Sequence, residues 1–250
     1  MDKRFMIAAM NRTGHHAVSV WLLHQTPNIN SFNIRTLTQW LFYLETSTGI
    51  SYLANNPLVQ GESEHEDKRH FHGVMEEYFS VNPTNTLIAT HEQHTLKDVA
   101  WASGQSPLLY NSRMVVVLRS FKNWVASCVK MAHRDKKNYK DLMNFETYID
   151  HCENYKNHKD IYYILFDNWV DSWEYRKKVA EDLGLEFTDA AIEQLSPFGG
   201  GSSFSQMEHI TEAHLMMVNQ RYILMKDDPD YRWVVENNPR ALEASNEVFN

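Results

Sequence analysis

The sequence predicts an α/β protein, a three-layer sandwich with a mainly parallel central sheet. Short apolar runs typical of buried strands recur along the chain, and segments with helical spacing of apolar residues follow them. The clearest strand is Met114–Leu118 (MVVVL), which is continuously apolar and β-branched, as in a parallel strand covered on both faces. Because strands alternate with helices along the chain, βαβ units are expected.

Elements of the first third are predicted in order. The apolar run Phe5–Met10 indicates a buried strand, and a turn leads from it into a helix over His15–Gln25. A second helix is predicted over Thr36–Glu45, where Leu37, Trp40, Leu41 and Leu44 share one helical face. The polar stretch Gly49–Lys68 is predicted to be a loop.

The rest of the chain continues the alternation. Further strands are predicted at Thr86–Thr90, Met114–Leu118 and Ile161–Phe166. Helices are predicted at Leu96–Ala102, Lys122–His133, Phe145–Tyr155, Asp171–Leu183 and Met207–Met225. A glycine-serine loop, Gly199–Ser203, precedes the last of them. No composition break marks a linker, so a single domain over residues 1–250 is expected.

Composition narrows the class of partner. The chain has 24 Lys+Arg and 32 Asp+Glu, a net charge of −8, with 43% hydrophobic residues. This balance argues against a disordered chain and against nucleic acid or an anionic membrane surface as a general partner. It leaves room for one small anion in a locally basic pocket. No apolar run reaches the roughly 18 residues of a membrane span, and no secretory signal is recognised, so a cytoplasmic protein with two reduced cysteines is expected.

The first turn has the setting of an anion site. Asn11-Arg12-Thr13-Gly14-His15-His16 connects a strand directly to a helix, whose N-terminus offers unpaired N–H groups and the positive end of its dipole. It is not a Walker A loop, because no lysine follows a second glycine. An ordinary turn with a surface arginine is the alternative interpretation.

A second anion site is predicted after the strand Met114–Leu118. Arg119 ends that strand at the sheet edge where open α/β sheets bind ligands, and Ser127 follows eight residues later, about two turns into a helix. An arginine fork and a hydroxyl could share one phosphate there. An arginine that snorkels to the surface is the alternative.

Together these motifs resemble the sulfotransferases that use 3′-phosphoadenosine 5′-phosphosulfate (PAPS). Arg12-Thr13-Gly14 is similar to the start of that family's 5′-phosphosulfate loop, and the Arg119–Ser127 spacing is similar to its 3′-phosphate motif. Phe166-Asp167, Leu183-Gly184-Leu185 and the loop from Gly199 to Phe204 resemble later family segments in the same order. The sequence departs from the family's motifs at three points. His15 and His16 stand in place of two hydroxyl residues, Ala17 stands in place of an aromatic residue, and the Arg-Lys-Gly that some members have near the C-terminus is missing.

The resemblance implies a P-loop-NTPase-like sulfotransferase fold, PAPS as sulfuryl donor and no metal. The sequence does not identify the acceptor: a carbohydrate, a phenol and a lipid-like alcohol are all compatible with it. The residues that the resemblance assigns to the cofactor are Arg12, Thr13, Gly14, His15, His16, Arg119, Ser127, Phe166 and Ser203.

Two catalytic roles are predicted. Arg12 would neutralise the leaving phosphate. His91, which follows the predicted strand Thr86–Thr90, would be the base that takes the acceptor proton. Glu92 is the substitute base, and His15 and His16 are rivals. His65, His70 and His72 lack further ligands for a zinc site. A small-molecule kinase and a non-catalytic nucleotide-binding protein of the same fold are the alternative functions.

Overall fold

The computed structural model describes residues 4–25, 40–46, 49–56, 59–65, 86–105, 111–189, 192 and 218–250. Its centre is a seven-stranded sheet with the strand order β4-β3-β2-β5-β1-β6-β7. The strands are β1 (Arg4–Ala9), β2 (Trp40–Thr46), β3 (Gly49–Asn56), β4 (Val59–His65), β5 (Thr86–Glu92), β6 (Arg113–Leu118) and β7 (Ile161–Leu165).

The α-helices of the described residues flank this sheet. They are α1 (His15–His24), α2 (Leu96–Gln105), α3 (Phe121–Asp135), α4 (Phe145–Glu153), α5 (Phe166–Asp171), α6 (Trp173–Asp182), α7 (Arg221–Leu224), α8 (Pro229–Asn237) and α9 (Pro239–Phe249). Short 3-10 turns occupy Tyr139–Leu142 and Val218–Gln220. None of the helices in the described part of the chain is long and apolar enough to cross a membrane.

The pairing of the strands creates the edge at which the site lies. Four pairings, β2–β5, β5–β1, β1–β6 and β6–β7, are parallel, and the other two in the described sheet, β2–β3 and β3–β4, are antiparallel. At the carboxyl ends, Ala9 is in register with Glu92 and with Val117, and Leu118 with Leu165. The segments that follow β1, β5, β6 and β7 therefore leave the sheet side by side.

Two hydrophobic cores cover the two faces of the sheet, which confirms the predicted α/β class with a mainly parallel sheet. Successive strand residues point to opposite faces. Phe5 and Ile7 of β1 accordingly pack with Trp21 of α1, whereas Met6 and Ala8 pack with Trp124 of α3. Full burial of a Met, Ile or Phe side chain stabilises the fold by about 1.5–3 kcal/mol, so this alternation fixes which face each helix covers.

The predictions for residues 36–68 were wrong wherever the structure describes the chain. Residues 40–46 form the strand β2 instead of the end of a helix, and the expected loop at Gly49–Lys68 contains β3 and β4. A short apolar run fits either period, so spacing alone did not distinguish helix from strand. Residues 40–46 form a strand because they pair in parallel with β5. The polar strand β4 lies at the outer edge of the sheet.

One predicted helix is only partly described. From the segment Met207–Met225, the structure describes residues 218–225, which form the 3-10 turn Val218–Gln220 and the short helix α7. The glycine-serine loop Gly199–Ser203 lies outside the described residues.

Candidate anion-binding site

The turn after β1 is held by its own backbone and by a neighbouring helix. Arg12 (φ 68°) and Gly14 (φ 91°) both adopt the left-handed conformation, and α1 begins directly after Gly14 with no side-chain cap. The Thr13 hydroxyl donates a hydrogen bond to the carbonyl of Met10 at 2.8 Å, so this buried side chain closes the turn. Trp124 Nε1 donates to the carbonyl of Asn11 at 2.8 Å, which ties the turn to α3.

Phe166 packs directly on the glycine of this turn. A Cβ atom at Gly14 would lie only 2.2 to 2.6 Å from three carbons of the Phe166 ring. Arg119 lies beside the same ring, with its guanidinium carbon 5.4 Å from the ring centre. Gly14 and Arg119, which the sequence assigned to two separate anion sites, thus contact one aromatic side chain.

Arg119 is buried and held by backbone carbonyl groups. Its Nη1 donates to the carbonyl of Arg12 at 3.1 Å, and its Nη2 donates to the carbonyl of Val218. The Tyr148 hydroxyl donates to the Arg119 carbonyl at 2.7 Å. These contacts from the first turn, from α4 and from the C-terminal segment place the guanidinium at the carboxyl edge of the sheet.

A third arginine, Arg221, joins buried Arg119 and partly buried Arg12 in a cationic cluster. Arg221 is 4% exposed, and its Nη1 donates to the Ser127 hydroxyl oxygen at 2.8 Å. Ser127, a predicted phosphate ligand, is therefore an acceptor for this arginine. The prediction from sequence missed Arg221, because it lies in a segment that was read as an amphipathic helix, where an arginine is ordinary.

Burial and mutual repulsion lower the pKa values in this cluster. Burial lowers the pKa of Arg221 well below its usual range, and the charges of Arg119 and Arg12 lower it further. Burial likewise lowers the pKa of Arg119 to about 10, with Asp167 opposing and Arg12 adding to the shift. Burial is also the main reason why the pKa of Arg12 is lowered. With its pKa at about 10, Arg119 stays charged at neutral pH, and a site lined by three arginines favours a multiply charged anion.

Asp167 organises the start of α3 beneath the cluster. Its carboxylate accepts hydrogen bonds from the Ser120 backbone N–H, the Ser120 hydroxyl and the Asn123 side-chain amide, each at 2.8 Å. Asn219 donates its side-chain amide to the Asp167 carbonyl at 2.8 Å, and Asn123 donates to the Asn219 carbonyl at 3.2 Å. These bonds hold the segment that carries Arg221 against α3.

His15, His16 and Glu92 form a second group at the same edge. His15 Nε2 lies 2.9 Å and His16 Nε2 lies 3.7 Å from Glu92 Oε1. Burial raises the pKa of Glu92, but the charges and hydrogen bonding of His15, together with His16 and Arg12, outweigh it and lower that pKa below its usual value. The Glu92 carboxylate therefore belongs to the surroundings of Arg12.

His91 lies next to this group in sequence but faces the other way. As a neighbour of Glu92 on β5, it points to the opposite face of the sheet. It is 1% exposed, and its ring centre lies 6.1 Å from that of His94. The structure thus places Glu92 beside the first turn and directs His91 away from it.

Most of the residues predicted for cofactor binding converge at this edge. The structure brings together Arg12, Thr13, Gly14, His15, His16, Arg119, Ser127 and Phe166, whereas Ser203 lies outside the described residues. Arg221 joins them as a contact of Ser127. No family model matches this sequence, and no curated protein is significantly similar to it in sequence.

Proposed function

We propose that the protein is a PAPS-dependent sulfotransferase that transfers a sulfuryl group to an acceptor hydroxyl or amine. The observation that carries the proposal is the cluster of buried Arg119 and Arg221 with partly buried Arg12, between a glycine turn and the start of α3. A nucleotide with phosphate groups at both its 5′ and 3′ positions supplies several negative charges at separate points, which matches cations presented from three segments of the chain.

Each element of the cluster has a role in this proposal. Arg12 and the N-terminus of α1 bind the 5′-phosphosulfate, because both offer N–H donors and positive charge to an anion. Arg119, Arg221 and the Ser127 hydroxyl bind the 3′-phosphate. Phe166 keeps Arg119 and the Gly14 turn in fixed relative positions through its contacts with both.

The proposed chemistry is an in-line displacement at sulfur. The acceptor oxygen or nitrogen forms a bond to sulfur while the bond from sulfur to the bridging phosphate oxygen breaks. The electron pair leaves on 3′-phosphoadenosine 5′-phosphate, whose growing charge Arg12 neutralises, and the acceptor proton passes to a base. Two candidates for the base stand at the end of β5: the sequence favours His91, and the surroundings of Arg12 favour Glu92.

Nucleotide titration tests the binding part of the proposal. We expect 3′-phosphoadenosine 5′-phosphate to bind more tightly than ATP, and Arg119→Ala to weaken its affinity about 10- to 100-fold, since a hydrogen bond to a charged group contributes about 1.5–3 kcal/mol. Binding of adenosine 5′-phosphosulfate, which lacks the 3′-phosphate, should change less. Arg240→Ala, an exposed arginine on α9, is the matched control. Equal weakening for both nucleotides would remove Arg119 as the 3′-phosphate ligand.

Turnover of PAPS with a panel of acceptors tests the catalytic part. We compare His91→Asn with Glu92→Gln; the variant that loses turnover while keeping nucleotide affinity identifies the base. Binding of ATP without binding of 3′-phosphorylated nucleotides would favour a small-molecule kinase. Tight nucleotide binding with no turnover of any acceptor would favour a non-catalytic nucleotide-binding protein.

A further inference from the structure

We propose that His15, His16 and Glu92 form a binding site for a divalent transition metal ion of the zinc type. The three side chains come from the first turn of α1 and from the end of β5, and they are brought together by the register of β1 with β5. The sequence predicted no metal site here, because no spacing rule connects Glu92 with two histidines so distant along the chain.

The spacing of the three ligand atoms suits one small ion. One nitrogen from each imidazole and one carboxylate oxygen all lie within 4.8 Å of one another, and the distances from Glu92 Oε1 are 2.9 and 3.7 Å. A tetrahedral zinc ion with bonds of about 2.0–2.1 Å separates its ligand atoms by about 3.3 Å, which lies between these two distances.

The closest contact already joins two of the potential ligands. His15 Nε2 and Glu92 Oε1 form an ion pair at 2.9 Å, so a metal ion here would take the place of the proton that His15 shares with Glu92. A metal ion between the two atoms would satisfy the imidazole and the carboxylate together.

The donor set selects the class of ion. Two imidazoles and one carboxylate suit Zn²⁺, Co²⁺ or Ni²⁺, whereas Mg²⁺ and Ca²⁺ require mainly oxygen ligands. The His15 side chain is 3% exposed, Glu92 11% and His16 18%, so the group can be reached from the His16 side. Three protein ligands with one accessible side match zinc sites that keep an exchangeable fourth position.

The charge of Arg12 works against a cation at this point, since it lies close enough to Glu92 to influence the Glu92 pKa. We therefore expect weaker binding than at a closed structural zinc site. The metal site shares its residues with the proposed function, since His15 and His16 are predicted cofactor ligands and Glu92 is a candidate base. A zinc titration without nucleotide therefore tests the metal site separately.

A second His-carboxylate group in the described chain serves as an internal control. His133 Nε2 lies 2.9 Å from Asp230, and His133 Nδ1 lies 3.6 Å from Asp228. One His133 nitrogen and one oxygen from each carboxylate also lie within 4.8 Å of one another, but this group is more exposed and offers a single imidazole. His133→Ala should leave the zinc affinity unchanged, and loss of zinc binding in that variant would assign the ion to this group instead.

The test is a Zn²⁺ titration of chelator-treated protein against a chromogenic zinc indicator. We expect one Zn²⁺ per chain, at least tenfold weaker binding in His16→Ala and in Glu92→Gln, wild-type affinity in His133→Ala, and no competition from Mg²⁺. X-ray absorption at the zinc edge should report two imidazole ligands in the wild type. Circular dichroism checks folding of each variant; His16 is partly exposed, so its variant provides the test even if Glu92→Gln is unstable. Absence of zinc binding, or equal affinity in the wild type and both site variants, would overturn the proposal.

Discussion

Arg221 Nη1 donates a hydrogen bond to Ser127 Oγ at 2.8 Å, which joins the C-terminal segment to the middle of α3. The contact holds a third guanidinium in the buried space already occupied by Arg12 and Arg119, and the charges of both lower the Arg221 pKa. Like charges in a medium of low dielectric constant repel strongly. This repulsion is a cost to the folded state, which Asp167 reduces at Arg119 and which a bound anion would reduce further.

Replacing one of these arginines should stabilise the protein while weakening anion binding. We expect Arg221→Met, which keeps much of the side-chain volume, to raise the free energy of unfolding by about 1–2 kcal/mol in buffer free of phosphate and sulfate, since apolar replacement of buried charges is often stabilising. The same variant should bind 3′-phosphoadenosine 5′-phosphate at least tenfold more weakly. Urea unfolding and nucleotide titration measure the two effects.

Arg240→Met is the control for this variant, because Arg240 makes only exposed ion pairs with Glu146 and Glu153. It should change neither stability nor nucleotide affinity. A large loss of stability in Arg221→Met would show that the hydrogen bond to Ser127 stabilises the fold more than charge repulsion destabilises it.

Gly14→Ala should be strongly destabilising. The left-handed conformation of Gly14 costs a residue with a Cβ about 1–2 kcal/mol, and the added atom would collide with the Phe166 ring. Overpacking of a filled site costs about 1–3 kcal/mol more, so we expect a loss of about 2–5 kcal/mol in urea unfolding.

Gly104→Ala is the matched substitution in α2. Nothing lies within 4 Å of the added methyl group there, and alanine favours a helix by about 0.8–1 kcal/mol over glycine. It should leave the protein unchanged or stabilise it. Similar effects of the two substitutions would contradict the close packing of Phe166 on Gly14.

Both cysteines should be unreactive in the folded protein. Cys128 and Cys152 are buried, and burial raises the pKa of each thiol to about 12. At pH 8, a chromogenic disulfide reagent should therefore label neither thiol until denaturant is added, and then label two per chain. Rapid labelling of the native protein would contradict this burial.

The same two pKa values predict how stability changes with pH. Unfolded thiols ionise near 8.5, whereas the folded ones stay protonated until about 12. Between these values the folded state binds more protons than the unfolded state, so this contribution to stability falls as pH rises. Urea unfolding of Cys152→Ala against the wild type at pH 7 and pH 10 checks it: the wild type should lose more stability across this interval.

Local patterns predicted the strands and helices that surround the arginine cluster. The apolar runs at β1, β5, β6 and β7 were recognisable because each is short, continuous and followed by a helical period. The first turn and Arg119 were recognisable because each follows a predicted parallel strand, and open α/β sheets bind ligands at the carboxyl ends of their strands. Residues 40–46 were mispredicted as part of a helix, because only their pairing with β5 shows that they form a strand.

The site depends on contacts that no local pattern contains. Arg119 stands directly after β6, and Arg12 lies in the turn that follows β1, so residue order alone predicts that both lie at this edge of the sheet. That Arg221 reaches Ser127, that Glu92 rather than His91 faces His15, and that Phe166 covers Gly14 follow from packing between distant segments. Strands and helices can be predicted from sequence because their periodicity is a property of neighbouring residues. The meeting of Arg12, Arg119 and Arg221 depends instead on how helices from distant parts of the chain pack on the two faces of the sheet.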